Sequence, residues 1–415
     1  MTEQEKQKKS NVVLWAAVAF NLSIGILYAW GMFRSKLTAA YADGGWEWSM
    51  REAGLPYTLI IVFFALGVLI GGRVQDKTGP RPVLITGGLM VGLGMLLSGL
   101  VGNNPIGIAI CYGVISGLGI GFGYSCGTPT TLKWFHPSRK GYVSGMVLGG
   151  FGLAAVYVAP LTNTLLQRIT IQQTFYVMGI IAIILSMSAT RFIVNPPAGY
   201  IPVTPKNMPP AAKNTAPPPD FTWKEMMRTR RFYIIIILFL CSASVGQMII
   251  GSVPIIARDQ AGLTSTAIMA ALLSYTAIMN GVGRIAGGIM SDKIGRVNAL
   301  FVVFLLQLIN ISAFTFYQNM PLVIVGITAT GLCFGAILSI FPALSADQYG
   351  LKNYGLNYGI IYLAWGSAGL LAPVIADYFF DLKGNFYTAY IICAIMMVVI
   401  LGVNGLLKME LKKTA

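Results

Sequence analysis

What constrains this chain most is the recurrence of long stretches without one charged side chain. Such gaps lie at 82–132, 141–167, 169–190, 232–257, 260–283, 297–346, 353–376 and 384–407. A run of ~20 apolar residues is the length that crosses a ~30 Å hydrocarbon core, where only a helix or a closed barrel satisfies its own backbone. The longest gaps exceed one crossing, and polar breaks divide them: Gly102, Asn103, Asn104 and Pro105 split the first, and Gln318, Asn319, Met320 and Pro321 the sixth. With the stretches near 12–33 and 53–72, the pattern predicts twelve spanning helices. A chain that is 55% hydrophobic and 10% charged is no ordinary water-soluble domain. The first segment has no small-residue cleavage site, which predicts a retained helix rather than a signal peptide.

The formal charge of +15 invites a nucleic-acid reading, but the placement of the 29 basic residues argues against it. With both termini on one side, that side's loops and tails hold 22 Lys or Arg, the other side holds six, and Arg284 falls within a span. This is the positive-inside asymmetry, so both termini and the long middle loop are expected in the cytoplasm of a multi-pass inner-membrane protein. The five cysteines, Cys111, Cys126, Cys241, Cys333 and Cys393, lie in apolar segments without paired spacing, and the one histidine, His136, lies in a basic loop. Neither a disulfide framework, a metal centre nor a histidine-based catalytic set is expected, and no cofactor is implied.

Residues 194–222 interrupt the apolar pattern with prolines that include Pro196, Pro197, Pro202, Pro205, Pro209, Pro210 and the run 217–219. This reads as a flexible linker. The expected organisation is a six-helix bundle over 1–193, a cytoplasmic linker over 194–231 and a second six-helix bundle over 232–415. Trp223 and Met226 among basic residues at the linker's end fit a short surface helix or an ordinary cationic loop.

The halves share a turn. After the second span come Gly72, Asp76, Gly79 and Arg81; after the eighth come Gly288, Asp292, Gly295 and Arg296. Glycine there allows close helix approach or positive φ, and aspartate can cap a helix end or pair with the nearby arginine. Two such turns at equivalent places in a six-plus-six layout resemble the loop signature of the major facilitator superfamily, whose halves are repeats around a midplane substrate site. Glycines at four-residue spacings, Gly113, Gly117 and Gly121 in the fourth segment and Gly145 and Gly149 in the fifth, allow helices to approach closely, whether for sliding or for static packing.

Arg284 is the lone charge between Arg258–Asp259 and Asp292. An intramembrane guanidinium is costly and tends to mark a ligand or ion pathway, and its planar fork suits a carboxylate. The competing reading has it snorkel to the near end of its helix, roughly 10 Å away. Asn280 shares its face one turn earlier and can orient it. Tyr28, Tyr124, Tyr358, Tyr362 and Trp365 interrupt apolar segments with polar tips, though aromatics at such positions more often pack. No acidic residue falls deep within a span, so a relay of buried carboxylates is not available.

Further motifs carry a closer likeness. The run Asp43, Gly44, Gly45, Trp46, Glu47, Trp48 resembles the signature of the monocarboxylate transporter family, with Glu47 departing at a small-residue position. Trp134 to Gly141, leading to Ser144 and Gly145, resembles the start of that family's fifth span and that of the related oxalate–formate exchangers. The same relatives carry an arginine matching Arg284 and a segment matching Glu225, Met226, Met227, Arg228 and Thr229. The exchangers have a second cation, a lysine, where this chain has Trp365, and two cations suit a dianion. Animal monocarboxylate transporters have an aspartate where this chain has Asn280, which cannot accept a proton, and a first-span lysine near Met32.

The resemblance implies an all-α membrane protein of twelve helices in two halves, with the major facilitator fold. It implies a secondary transporter of small monocarboxylates such as lactate or pyruvate, coupled to a proton, functional as a monomer in the bilayer, without nucleic acid as a partner. Arg284 and Asn280 would hold the carboxylate, with Tyr28, Tyr124 and Tyr362 as polar neighbours and Leu27, Phe334, Leu338 and Trp365 as apolar walls. Oxalate–formate exchange is the first alternative and Trp365 speaks against it. A receptor would need an output domain, which the proline-rich linker does not provide. A multispanning enzyme would need a buried nucleophile–base pair.

Overall fold

The computed structural model describes residues 2–204, 220–263 and 265–413. Residues 205–219 of the expected linker, with Pro205, Pro209 and Pro210, lie outside the described residues. Among the described residues the regular structure is all helical. The long helices are α1 Glu3–Leu37, broken by a 3₁₀ turn at Gly25–Ala29, α2 Met50–Thr78, α3 Pro80–Val101, α4 Pro105–Leu132, α5 Pro137–Arg168 and α6 Ile171–Thr190. They continue with α7 Arg230–Ala261, α8 Thr266–Ile294, α9 Arg296–Phe316, α10 Met320–Tyr349, α11 Tyr354–Lys383 and α12 Tyr387–Lys413. Ten of these, all but α8 and α11, are long and apolar enough to cross a membrane by length and composition among the described residues. α8 and α11 have the length, 29 and 30 residues. At 1.5 Å per residue each is ~44 Å long.

Local chemistry sets the ends. Ser49 and Glu52 cap α2 reciprocally, as Thr170 and Gln173 cap α6, satisfying N–H groups that a first turn leaves unpaired. A five-residue helix, Trp223–Met227, forms at the linker's end behind the same device, Thr222 with Glu225. Gly79 and Gly295 take φ of 83° and 85° between α2 and α3 and between α8 and α9, a left-handed conformation that favours glycine. Large apolar side chains stay exposed along the helices, Ile184 at 58% and Val398 at 58% for instance, as lipid rather than water requires.

Contacts divide the chain into two compact units. The first comprises Met1–Pro137, Gly150–Asp220 and Gly350–Leu363; the second comprises Ser138–Gly149, Phe221–Tyr349 and Ala364–Ala415. The start of α5 thus belongs with the second unit and the start of α11 with the first.

Candidate substrate site

In the second unit Arg284 is 3% exposed and Asn280 6%. Arg284 donates from Nε to Asn280 Oδ1 at 2.9 Å and from Nη1 to the Leu148 carbonyl of α5 at 2.8 Å. Helical side chains lean toward the N-terminus of their helix, and Asn280 lies one turn in that direction, so Nε is held toward the helix interior, away from the Asp292 end. Two glycines let neighbouring backbones reach this turn. A Cβ on Gly335 of α10 would stand 2.8 Å from the Arg284 nitrogen, and one on Gly145 of α5 would stand 3.2 Å from the Ile285 Cα. The Leu148 carbonyl was not legible in the sequence; Gly145 and Gly149 were visible only as packing residues.

The remaining expected residues divide between the units. Leu338 and Trp365 are buried in the second, and the Trp365 carbonyl accepts from Gln247 Nε2 at 3.2 Å. Phe334 lies against Gly246 and lines a small cavity with Ser242, Gln307 and Cys333. Leu27, Tyr28, Tyr124 and Tyr362 belong to the first unit. Tyr28 packs on Phe151, ring centroids 5.7 Å apart, and Tyr124 packs on Phe64, Phe151 and Tyr362 at 5.2, 5.4 and 5.3 Å. Tyr362, expected from its place in the second half, sits in this aromatic cluster, with the Tyr358 ring tilted against it at 5.7 Å. The side chains of Asp377 and Asp381, the acids near the end of α11, lie outside the described residues.

The paired turns are bound by a shared geometry. Asp76 accepts from the Gly355 and Leu356 N–H groups, 3.0 and 2.8 Å, at the start of α11, within the first unit. Asp292 accepts from the Gly141 and Tyr142 N–H groups, 2.8 and 2.7 Å, near the start of α5, within the second. Each carboxylate therefore sits where a helix dipole is positive, on a helix remote in sequence. Asp292 also pairs with Arg296 at 2.6 Å, and Arg296 and Lys140 both pair with Asp347, at 2.8 and 2.9 Å. Arg81 instead donates to the Arg191 carbonyl at 3.0 Å. Lys133 stands nearer Asp76: burial pulls its ammonium pKa down, against Asp76 and Asp220, which pull it up.

The signature after α1 forms a tight turn. Gly44 has φ of 72°, the Lys36 ammonium donates to the Asp43 carbonyl, and buried Trp48 donates to Asn103 Oδ1 at 2.5 Å. Glu47 stands at φ of 55°, a conformation glycine accepts freely, and its carboxylate accepts from the Tyr41 N–H at 3.1 Å.

Among the described residues, twelve long helices with lipid-compatible surfaces define a polytopic membrane protein, and Arg284 is buried within α8. The chain belongs to the Major Facilitator Superfamily, whose family model matches residues 11–317. It is a membrane transporter, not an enzyme. Similar proteins include an uncharacterized transporter of this type, YhjX of Escherichia coli, 26% identical over 88% of this chain and 87% of its own length. An oxalate:formate antiporter of Oxalobacter formigenes is 26% identical over 89% and 84%, and monocarboxylate transporter 13 of Rattus norvegicus is 24% identical over 94% and 87%. Among solved structures, the human organic anion transporter MFSD10 superposes with a TM-score of 0.73 over 96% of this chain and 99% of its own, at 12% identity.

Proposed function

We propose that the protein moves a small monocarboxylate, such as lactate or pyruvate, together with a proton, by alternating access. The observation that carries this reading is the Arg284 guanidinium, buried inside a span and held through Nε and Nη1 by the neutral groups Asn280 and Leu148 carbonyl. A fork oriented in this way suits a carboxylate. Its orientation away from the Asp292 end counts against snorkelling. The names of the relatives, an oxalate:formate antiporter and monocarboxylate transporters, agree with a small organic anion as cargo.

Trp365, buried where the exchangers carry a lysine, favours a monoanion over a dianion. Moving an uncompensated anion through the membrane field costs ~2.3 kcal/mol per 100 mV, and pairing it with a proton cancels that term. The proton rides on the substrate or on a group near the membrane surface, because the sequence places no acidic residue in the middle of an apolar segment. The charge asymmetry supports cytoplasmic termini in the inner membrane.

The test is uptake of a panel of labelled monocarboxylates into proteoliposomes with and without an inward proton gradient. Accumulation driven by the gradient with little current supports symport. Uptake indifferent to the gradient but accelerated by a second carboxylate on the opposite side would establish exchange.

A further inference from the structure

Within the first unit, a groove of about 780 Å³ opens along the outer flank of α1 and α6 and reaches Tyr157 of α5. Its shape follows from side-chain size. Ala16, Ala19 and Ala189 form a shallow floor, and the exposed Trp15 (58%) and Phe192 (55%) stand beside it as walls. Tyr157 closes the groove, its hydroxyl donating to the Leu22 carbonyl at 2.8 Å, so its polar tip is satisfied and its ring face is left to an apolar occupant.

One end of the groove is charged. Lys8 and Asn11 line it there. Two neighbouring lysines are engaged elsewhere: Lys6 lies 5.6 Å over the Tyr200 ring and donates to the Ile201 carbonyl, and Lys9 lies 5.7 Å over the Trp134 ring. Lys8 is exposed and has no such partner among the described residues. An apolar trough as long as several helical turns, with one uncommitted ammonium and an amide at its end, matches an acyl chain joined to an anionic headgroup.

We propose that this groove is a binding site for one anionic phospholipid, its acyl chain lying over Ala16, Ala19 and Ala189 between Trp15 and Phe192, and its phosphate on Lys8. The occupant is a bilayer lipid rather than a protein helix because the charge lies at the end of the trough, where a headgroup sits, and not along its length.

Native mass spectrometry of the intact protein, titrated with phosphatidylglycerol or phosphatidylethanolamine, tests the assignment. The expected result is one tight phosphatidylglycerol adduct, weakened about fivefold by Lys8→Gln, the factor that the ~1 kcal/mol of one lysine at an anionic surface corresponds to. Ala19→Trp, which fills the trough, should abolish it. Because Ala19→Trp could disturb α1, a second measurement accompanies it: phosphatidylglycerol with brominated chains should quench wild-type fluorescence more than that of Trp15→Phe. An adduct unchanged by both substitutions, equal affinity for the two lipids, equal quenching in wild type and Trp15→Phe, or a dimer that displaces the lipid adduct would each overturn the proposal.

Discussion

Replacing Arg284 by lysine keeps the charge and removes the fork, which makes it the sharpest probe of the site. The wild-type guanidinium gives Nε to Asn280 and Nη1 to the Leu148 carbonyl. A single ammonium cannot reproduce that planar arrangement and still meet a carboxylate with two parallel bonds. The variant therefore loses about one charge-assisted hydrogen bond to the substrate, worth about 1.5–3 kcal/mol, which is roughly a 10- to 150-fold loss of affinity. It also leaves one buried acceptor, Asn280 Oδ1 or the Leu148 carbonyl, without its donor, at about 1–3 kcal/mol of stability. Equilibrium binding of the best substrate from the uptake panel measures the first effect and thermal denaturation in detergent the second. A structural arginine would give the stability loss without the affinity loss. Wild-type affinity and uptake in a destabilised Arg284→Lys protein would refute the substrate role.

Asn280→Asp should place a carboxylate beside the guanidinium, lower substrate affinity by internal competition and add a pH dependence to uptake; equal affinity at pH 5 and pH 8 with no loss would contradict this. Trp365→Lys should raise the affinity for a dicarboxylate relative to a monocarboxylate, read by competition against labelled substrate, and oxalate outcompeting lactate on the wild type would count against the monoanion reading. Asp292→Asn should lower stability by about 2–3 kcal/mol, because it strips Arg296 of one of its two carboxylate partners in a largely buried network, whereas Asp76→Asn should cost about 1 kcal/mol, the worth of a cap charge; equal melting shifts would refute the difference. Asp43→Asn should leave gradient-driven uptake intact, since Asp43 is exposed and its carbonyl, not its carboxylate, receives Lys36; loss of coupling would place the proton there.

The span count was legible because charge-free gaps of fixed length have few solutions in a bilayer, and Arg284 with Asn280 was legible because i, i+4 spacing is local. What was hidden is non-local. That α5 supplies a backbone carbonyl to Arg284 leaves no trace in side-chain identity, since any residue at 148 carries the same carbonyl. The surroundings of Tyr362 were hidden for a related reason: sequence order puts it in the second half, while the packing of α11's first part puts it among Phe64 and Tyr124. The cap partners of Asp76 and Asp292 were equally invisible, since N–H groups 279 and 151 residues away are fixed only by the fold.

The two turns, nearly identical in sequence, show how one residue of register changes an energetic outcome. Arg296 follows Asp292 by four positions, one helical turn, and so reaches back to its carboxylate while Nε goes to Asp347. In the first copy proline occupies that position, and Arg81, one residue further on, swings to the Arg191 carbonyl. Asp76 keeps its two N–H donors but has no paired arginine among the described residues, and the cation that acts on it is Lys133, whose charge burial disfavours. The same backbone device thus holds the start of α5 through a network of two acids, an arginine and a lysine, and the start of α11 through one carboxylate. Among the described residues, a release that leaves every ion pair untouched is available to the second arrangement and not to the first. Withdrawing Asp76 from α11 exposes one carboxylate to water, whereas withdrawing Asp292 from α5 also strains a network in which Lys140 and Arg296 share Asp347. If one of the two helix starts lets go first during the transport cycle, this geometry selects α11.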